Sequence, residues 1–190
     1  HILSQAKIVP GGFQWFRITL RWDQIELAAD ACTNNTANCH WEYTDQSIID
    51  AASRGLGILA VITGVPSWAN GPDPMVSCPT NDRASWPPNS ATPMSRFALA
   101  AARRYDGRVT AWEIGNEVNS CKWWKGTAAQ FRNRYLAPAF DSIKSVFSGN
   151  QVGAPGLINN ASAAELNKWL TASGLLVRTL DFFTFHTVLV

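Results

Sequence analysis

The sequence predicts an α/β fold built on a parallel sheet, and three observations point to it. Apolar, β-branched or aromatic runs recur along the chain around Ile18, Leu56–Ile62, Val109–Ile114, Gln151–Gly153 and Leu180–Phe185, and they read as buried strands. Stretches with helical spacing separate them, and a strand–helix alternation without an internal repeat calls for parallel pairing through right-handed crossovers. Polar side chains collect where the apolar runs stop, most clearly in Gly115-Asn116-Glu117. The carboxyl ends of parallel strands are where α/β barrels keep their chemistry.

Bulk properties narrow the function classes. A chain of 190 residues bounds a single domain, 1–190, with ample core. With 46% hydrophobic and 16% charged residues it is globular and lean in charge. A net charge of +2 without a Lys/Arg cluster argues against nucleic acid as a partner. No apolar run approaches the ~18 residues of a membrane helix, and no signal peptide is visible. Nine Trp in a charge-poor chain suit a carbohydrate binder, because sugar faces stack on aromatic rings, although core packing accounts for most of them.

Taken in order, Leu3–Ile8 reads as the end of a helix stopped by Pro10-Gly11-Gly12. Phe13–Trp22 is a strand with partial alternation, and Arg17 within it is costly to bury unless paired. Ala28–Trp41 is a polar loop. Tyr43–Arg54 is a helix with Thr44 or Asp45 as its cap and Gly55 as its stop. Leu56–Ile62 is the next strand. Asn70–Pro93 is a long connection rich in Pro, Asn, Ser and Asp, of the kind that lines clefts. Met94–Tyr105 is a helix with Phe97, Ala98, Ala101 and Ala102 inward, closed by Arg103, Arg104 and then Gly107. Thr127–Phe147 is a long helix in which Pro138 predicts a kink or break. Ala163–Ala172 is helical, with Leu166, Trp169 and Leu170 facing the core, and Leu180–Thr187 is the last strand.

The cysteines pair most simply as Cys32–Cys39, around a polar loop, and Cys78–Cys121, out of three possible pairings. Two disulfides place the protein in an oxidising, secreted or extracytoplasmic setting. The Asn34-Asn35-Thr36 and Asn160-Ala161-Ser162 glycosylation patterns point the same way. No Cys or His spacing suits a zinc site.

The stretch that carries chemistry is Trp112-Glu113-Ile114-Gly115-Asn116-Glu117-Val118-Asn119. A carboxylic acid can protonate a glycosidic oxygen, and an amide can hold a ring hydroxyl. A plainer role for Glu117 is to cap the next helix or pair with a surface Arg or Lys. This stretch resembles the fourth-strand motif of clan A glycoside hydrolases, closest to the family 39 and family 5 type. Further strand ends carry the resemblance: Phe16-Arg17-Ile18, Trp22-Asp23-Gln24-Ile25-Glu26, Pro66-Ser67-Trp68-Ala69 and Phe185-His186. It covers nearly the whole chain and implies a partial TIM (β/α)8 barrel holding strands two to six.

The resemblance implies that Glu117 is the general acid/base of a retaining glycosidase and that Asn116 bonds the hydroxyl beside the anomeric carbon. It places Arg17 near the catalytic carboxylates, while the alternative is a structural ion-pair partner inside the barrel. Trp68 either walls a sugar subsite or covers the barrel's top edge. From its place in the loop directly after the motif, one of Trp123 and Trp124 is expected to stack on substrate, with Trp123 the choice. His186 contacts sugar or the nucleophile, or is structural, since Thr187 and Val188 stand where the family often has an aromatic residue. The implied partner is a β-linked carbohydrate, and no metal or organic cofactor is needed.

A retaining enzyme holds two carboxyl groups ~5–5.5 Å apart. Glu113 is not the second, because four residues along a strand span roughly 13 Å. The family's nucleophile ends strand seven, and this chain reads as stopping before it and starting after strand one. Bare strand edges around Ile18 and Phe183 would then invite self-association. Two rival readings stand beside the hydrolase. One is a catalytically inactive carbohydrate-binding or scaffold barrel. The other is an aldolase-like barrel, which would need a strand-end Lys; Lys122 and Lys125 both lie past the motif in a loop.

Overall fold

The computed structural model describes residues 12–72, 82–158 and 180–186, together with 164, 167, 169 and 171. The strands are β1 (Trp15–Arg21), β2 (Gly57–Thr63), β3 (Ala111–Ile114), β4 (Gln151–Gly153), β5 (Leu157–Ile158) and β6 (Phe185–His186). β1 to β4 form a four-stranded sheet in sequence order, and every pairing is parallel. β5 pairs in parallel with β6, and the bridges Gly153–Phe182 and Asn116–Gly156 knit this pair to the end of the larger sheet. Each predicted strand region is present, and the parallel sequential order is that of one arc of a barrel wall.

Alternation along the strands sorts the side chains onto two faces. Ile58, Ala60, Ile62, Trp112, Ile114 and Val152 belong to the continuous buried core that the helices cover. The other face carries Arg17, Leu59, Val61 and Glu113, aligned by the register Arg17–Leu59 and Val61–Glu113. The inner face of the arc therefore holds its charged residues, and the apolar core lies between sheet and helices. Among the described residues at the chain's first strand, Phe13 and Trp15 are exposed, at 63% and 59%.

The helices are α1 (Trp22–Ile25), α2 (Glu42–Ser53), α3 (Thr92–Arg104), α4 (Ala128–Phe131) and α5 (Ala137–Val146). α1 falls within the strand-end stretch Trp22–Glu26. It is a single turn whose Trp22 stacks on Phe97 and meets Trp68 edge-on at 5.9 Å. α2 begins at Glu42, ahead of the expected caps, so neither Thr44 nor Asp45 caps it. Thr44 instead shares its hydroxyl with the Trp41 carbonyl and Tyr105, and Asp45 pairs with Arg104. Gly55, at φ +70°, ends the helix as expected. α3 buries Phe97, Ala98, Ala101 and Ala102.

Pro138 has its effect one turn upstream. The segment Arg132–Leu136 between α4 and α5 is a π-turn, with the Ala137 N–H donating to the Arg132 carbonyl. A proline has no N–H for the usual bond to residue i−4, and the wider turn absorbs the defect. The capping box predicted by nothing in the chain's apolar pattern is formed by Thr127 and Gln130 at the start of α4. The expected helix at Leu3–Ile8 lies outside the described residues, as do Leu166 and Leu170. Trp169 is helical and buried, against Phe131.

The polar loop is stapled by the Cys32–Cys39 disulfide. Cys121 is disulfide-bonded as well, and Cys78 lies outside the described residues. The staple docks onto Glu26, which is buried and accepts from Trp22 Nε1 at 2.8 Å and the Cys32 N–H at 3.1 Å. Burial raises the Glu26 pKa above the ordinary glutamate value, against the lowering effect of those two donors. The folded state thus holds this proton to higher pH than the unfolded chain does. Stability is expected to fall as pH climbs from the usual glutamate value through the raised one. Urea unfolding across that window should show the slope, and Glu26→Gln should flatten it. Glu26→Ala leaves both donors unpaired, at a cost of about 1–3 kcal/mol each.

Among the described residues, no helix is long and apolar enough to cross a membrane.

Candidate active site

Glu117 sits just past β3, where the strand gives way to Gly115 at φ +90°. Glu117 itself has φ +44°, a left-handed conformation rare for a residue with a Cβ. The surroundings hold it there: its N–H donates to the Gly156 carbonyl at 2.6 Å, and Asn116 bridges Gly156 in parallel. Such strain, kept by neighbouring bonds, is a feature of functional positions. The side chain is turned onto the strand-end face and remains 22% accessible, neither buried under the core nor loose in solvent.

Both carboxylate oxygens of Glu117 are engaged. Oε2 accepts from Trp123 Nε1 at 2.9 Å, and Oε1 lies 2.8 Å from His186 Nδ1. An indole N–H only donates, so Oε2 is fixed as an acceptor. At Oε1 the direction of the bond follows the imidazole tautomer: a protonated Nδ1 donates to the carboxylate, and a bare Nδ1 accepts from a carboxyl O–H. Chain segments 69 and 6 residues away thus converge on one carboxyl group.

Beneath it lies Glu113, which is fully buried. Its Oε2 accepts from Arg17 Nε at 3.2 Å and Nη2 at 3.1 Å. Its Oε1 accepts from the Gly156 N–H and the Thr184 hydroxyl, both at 2.9 Å. Arg17 Nη2 also donates to Asn116 Oδ1 at 3.3 Å. Arg17 is thus the ion-pair partner of Glu113 inside the arc, and the same guanidinium also reaches Asn116 at the strand end.

The loops after β2 and β3 form an opening that reaches Trp123, the residue bonded to Glu117. A cavity of about 150 Å³ is lined by Arg21, Gly64, Asp82, Ala84, Ser85, Lys122 and Trp123. Arg21 is clamped by Asp23, Nε to Oδ1 at 2.8 Å and Nη2 to Oδ2 at 2.6 Å, and that partner raises its pKa. Asp82, Ala84 and Ser85 come from the long connection expected to line a cleft. Lys125 fastens that connection to the loop after β3, its N–H donating to the Ser85 carbonyl and its Nζ to the Asp82 carbonyl.

Of the residues expected from the sequence, the structure brings Arg17, Asn116, Glu117, Trp123 and His186 into one bonded group. The two neighbouring tryptophans divide: Trp123 faces the cavity with Lys122 over its ring, while Trp124 is buried against Phe131 and Tyr135. Trp68 takes other partners, its Nε1 donating to the Glu26 carbonyl at 2.9 Å and its ring set against Trp22. Sequence reasoning missed Gly156 and Thr184, and considered Glu113 only as a second catalytic carboxylate. Thr184 lies just ahead of β6, two residues before His186, and its hydroxyl reaches Glu113 where His186 reaches Glu117.

No family model and no curated protein matches the chain. Solved structures do. A glucosidase from Croceicoccus marinus superposes with TM-score 0.67 at 19% identity, over 90% of this chain and 37% of that one. A monomeric β-xylosidase from Caulobacter crescentus CB15 gives 0.68 at 16% identity, over 97% and 38%. A family 39 glycoside hydrolase from the gut symbiont Bacteroides cellulosilyticus WH2 gives 0.60 at 22% identity, over 92% and 33%. The chain spans well under half the length of each of these structures. It has the fold of part of a (β/α)8 barrel, the arc that these glycosidases also contain.

Proposed function

We infer that the chain is the acid/base half of a retaining glycoside hydrolase acting on β-linked sugars. The observation that carries this reading is the strained, partly accessible Glu117 at a strand's carboxyl end, its two oxygens held by a donor and an imidazole. In the first step the Glu117 proton passes to the glycosidic oxygen as its bond to the anomeric carbon breaks, and the leaving group departs as an alcohol. In that same step the nucleophile's carboxylate bonds the anomeric carbon; in the second, Glu117 takes a proton from water as the water oxygen bonds that carbon and the carbon's bond to the nucleophile breaks. The resemblance puts the nucleophile, a glutamate, at the end of a seventh strand.

Asn116 is the hydrogen-bonding partner of the hydroxyl beside the anomeric carbon. Trp123 forms a wall of the opening where sugar rings pack, and Trp68 is an outer candidate for the same role. The Cys32–Cys39 bridge supports an oxidising, extracytoplasmic setting.

The test uses the full-length protein on a panel of aryl β-glycosides, following the first-formed sugar by NMR. Release of the β-anomer ahead of mutarotation is the expected outcome. Release of the α-anomer would exclude retention, and specific binding of glycans without cleavage would favour the inactive, carbohydrate-binding alternative.

A further inference from the structure

The site contains a second carboxylate that the proposed chemistry does not use. Glu113 is fully buried, yet Arg17, its charge partner, has a side chain 42% accessible in the open site. Burying an anion is costly unless every lone pair is met, and here Arg17, Gly156 and Thr184 meet them with four bonds. Such a group can serve simply to tie strands together. Its bonds also converge on the substrate-facing amide.

We propose that Glu113 is the positioning residue of the site: through Arg17 it fixes the Asn116 side chain, and through Gly156 it fixes the Asn116 backbone. A guanidinium has no acceptor, so the Asn116 oxygen must face Arg17 Nη2. The Asn116 NH₂ is then turned away from Arg17 as a donor. This amide reads an acceptor oxygen on the sugar ring and rejects a ring that lacks one. The backbone is held from the same carboxylate, because Gly156 donates its N–H to Glu113 while bridging Asn116 and accepting from the Glu117 N–H. One buried charge thereby sets both the reading amide and the backbone of the acid/base. Arg17 transmits this through Nη2, which donates to both Glu113 and Asn116, while Nε adds a second bond to Glu113 that fixes the guanidinium plane and that a lysine lacks.

The proposal takes its substrate from the glycosidase reading, but its first test needs no substrate. ¹⁵N relaxation of the Asn116 side-chain amide in the full-length protein should show a rigid group. In Arg17→Lys and in Glu113→Gln the same amide should become mobile on the sub-nanosecond scale. An amide equally rigid in folded Arg17→Lys overturns the proposal, whether or not the protein cleaves glycosides.

The second test compares an aryl glycoside with its 2-deoxy counterpart. Wild type should prefer the hydroxylated sugar by about ten- to a hundredfold in kcat/KM beyond the intrinsic reactivity difference. Arg17→Lys and Glu113→Gln should both lose that preference, down to the level of Asn116→Ala. A purely strand-tying Glu113 would lower the melting temperature of Glu113→Gln and leave the preference intact. A wild type with no glycosidase activity removes the proposed function and leaves the relaxation result to decide the positioning role.

Discussion

Glu117→Gln in the full-length protein lowers turnover of glycosides with poor leaving groups by about 10²- to 10⁴-fold, the usual contribution of a positioned general acid. Gln keeps the size of the side chain and can still accept from Trp123 Nε1, so the fold and the left-handed backbone are retained. The loss should shrink as the leaving group improves, because a nitrophenolate departs without a proton. The variant's kcat/KM should therefore depend more steeply on leaving-group acidity than that of wild type. An equal loss across the panel would mean that Glu117 supports the structure rather than donating the proton.

The second large effect is expected at a residue with no reactive side chain. A Cβ added at Gly156 would meet His186 Nε2 at 2.6 Å and Cδ2 at 2.9 Å. The ring has to move, and its other nitrogen is the one against Glu117 Oε1. Gly156→Ala should thus displace His186 and cost about 10²-fold in kcat, the scale of a roughly 1 Å misplacement in a catalytic group. The backbone bonds of Gly156 to Glu113 and Glu117 survive the substitution, so stability should change less than activity. Stability that drops in Gly156→Ala and returns in Gly156→Ala/His186→Ala would confirm that the imidazole is the group displaced. A crystal structure of Gly156→Ala with His186 unmoved would contradict the coupling.

Much of this arrangement was legible in the sequence, for identifiable reasons. β-branched runs bounded by glycines gave the strands, because burial on both faces demands continuous apolar residues and the backbone has few ways to stop. Glu117 was legible because its place depends only on where β3 ends. Glu113 was not, because alternation gives a residue's face but not its long-range partner. Arg17, 96 residues away, becomes that partner only when β1 and β3 are laid on either side of β2. Arg17 itself looked like a choice between structure and site, and its guanidinium bonds both the buried Glu113 and the strand-end Asn116.

Trp68 shows the limit from another side. Its Pro-flanked setting suited either a subsite wall or a cover over the barrel's top edge, and an indole contacts whichever neighbour folding supplies. Here that neighbour is Trp22, with Glu26 taking the N–H. The caps of α2 failed for a similar reason: Thr44 and Asp45 have tertiary partners in Tyr105 and Arg104 that local pattern does not contain. The site as a whole is assembled from loops after successive strands, and its bonds run across the sheet rather than along the chain.

The most direct measurement is chemical rescue of Glu117→Ala by azide on an activated aryl β-glycoside. With the general base gone and space left by the missing side chain, azide can attack the glycosyl-enzyme without losing a proton. The anomeric carbon bonds nitrogen as the bond to the enzyme's carboxylate breaks. The expected product is the β-glycosyl azide, formed at a rate that rises with azide concentration. An α-glycosyl azide would make Glu117 the nucleophile, and a variant as fast as wild type without azide would leave Glu117 no part in the chemistry.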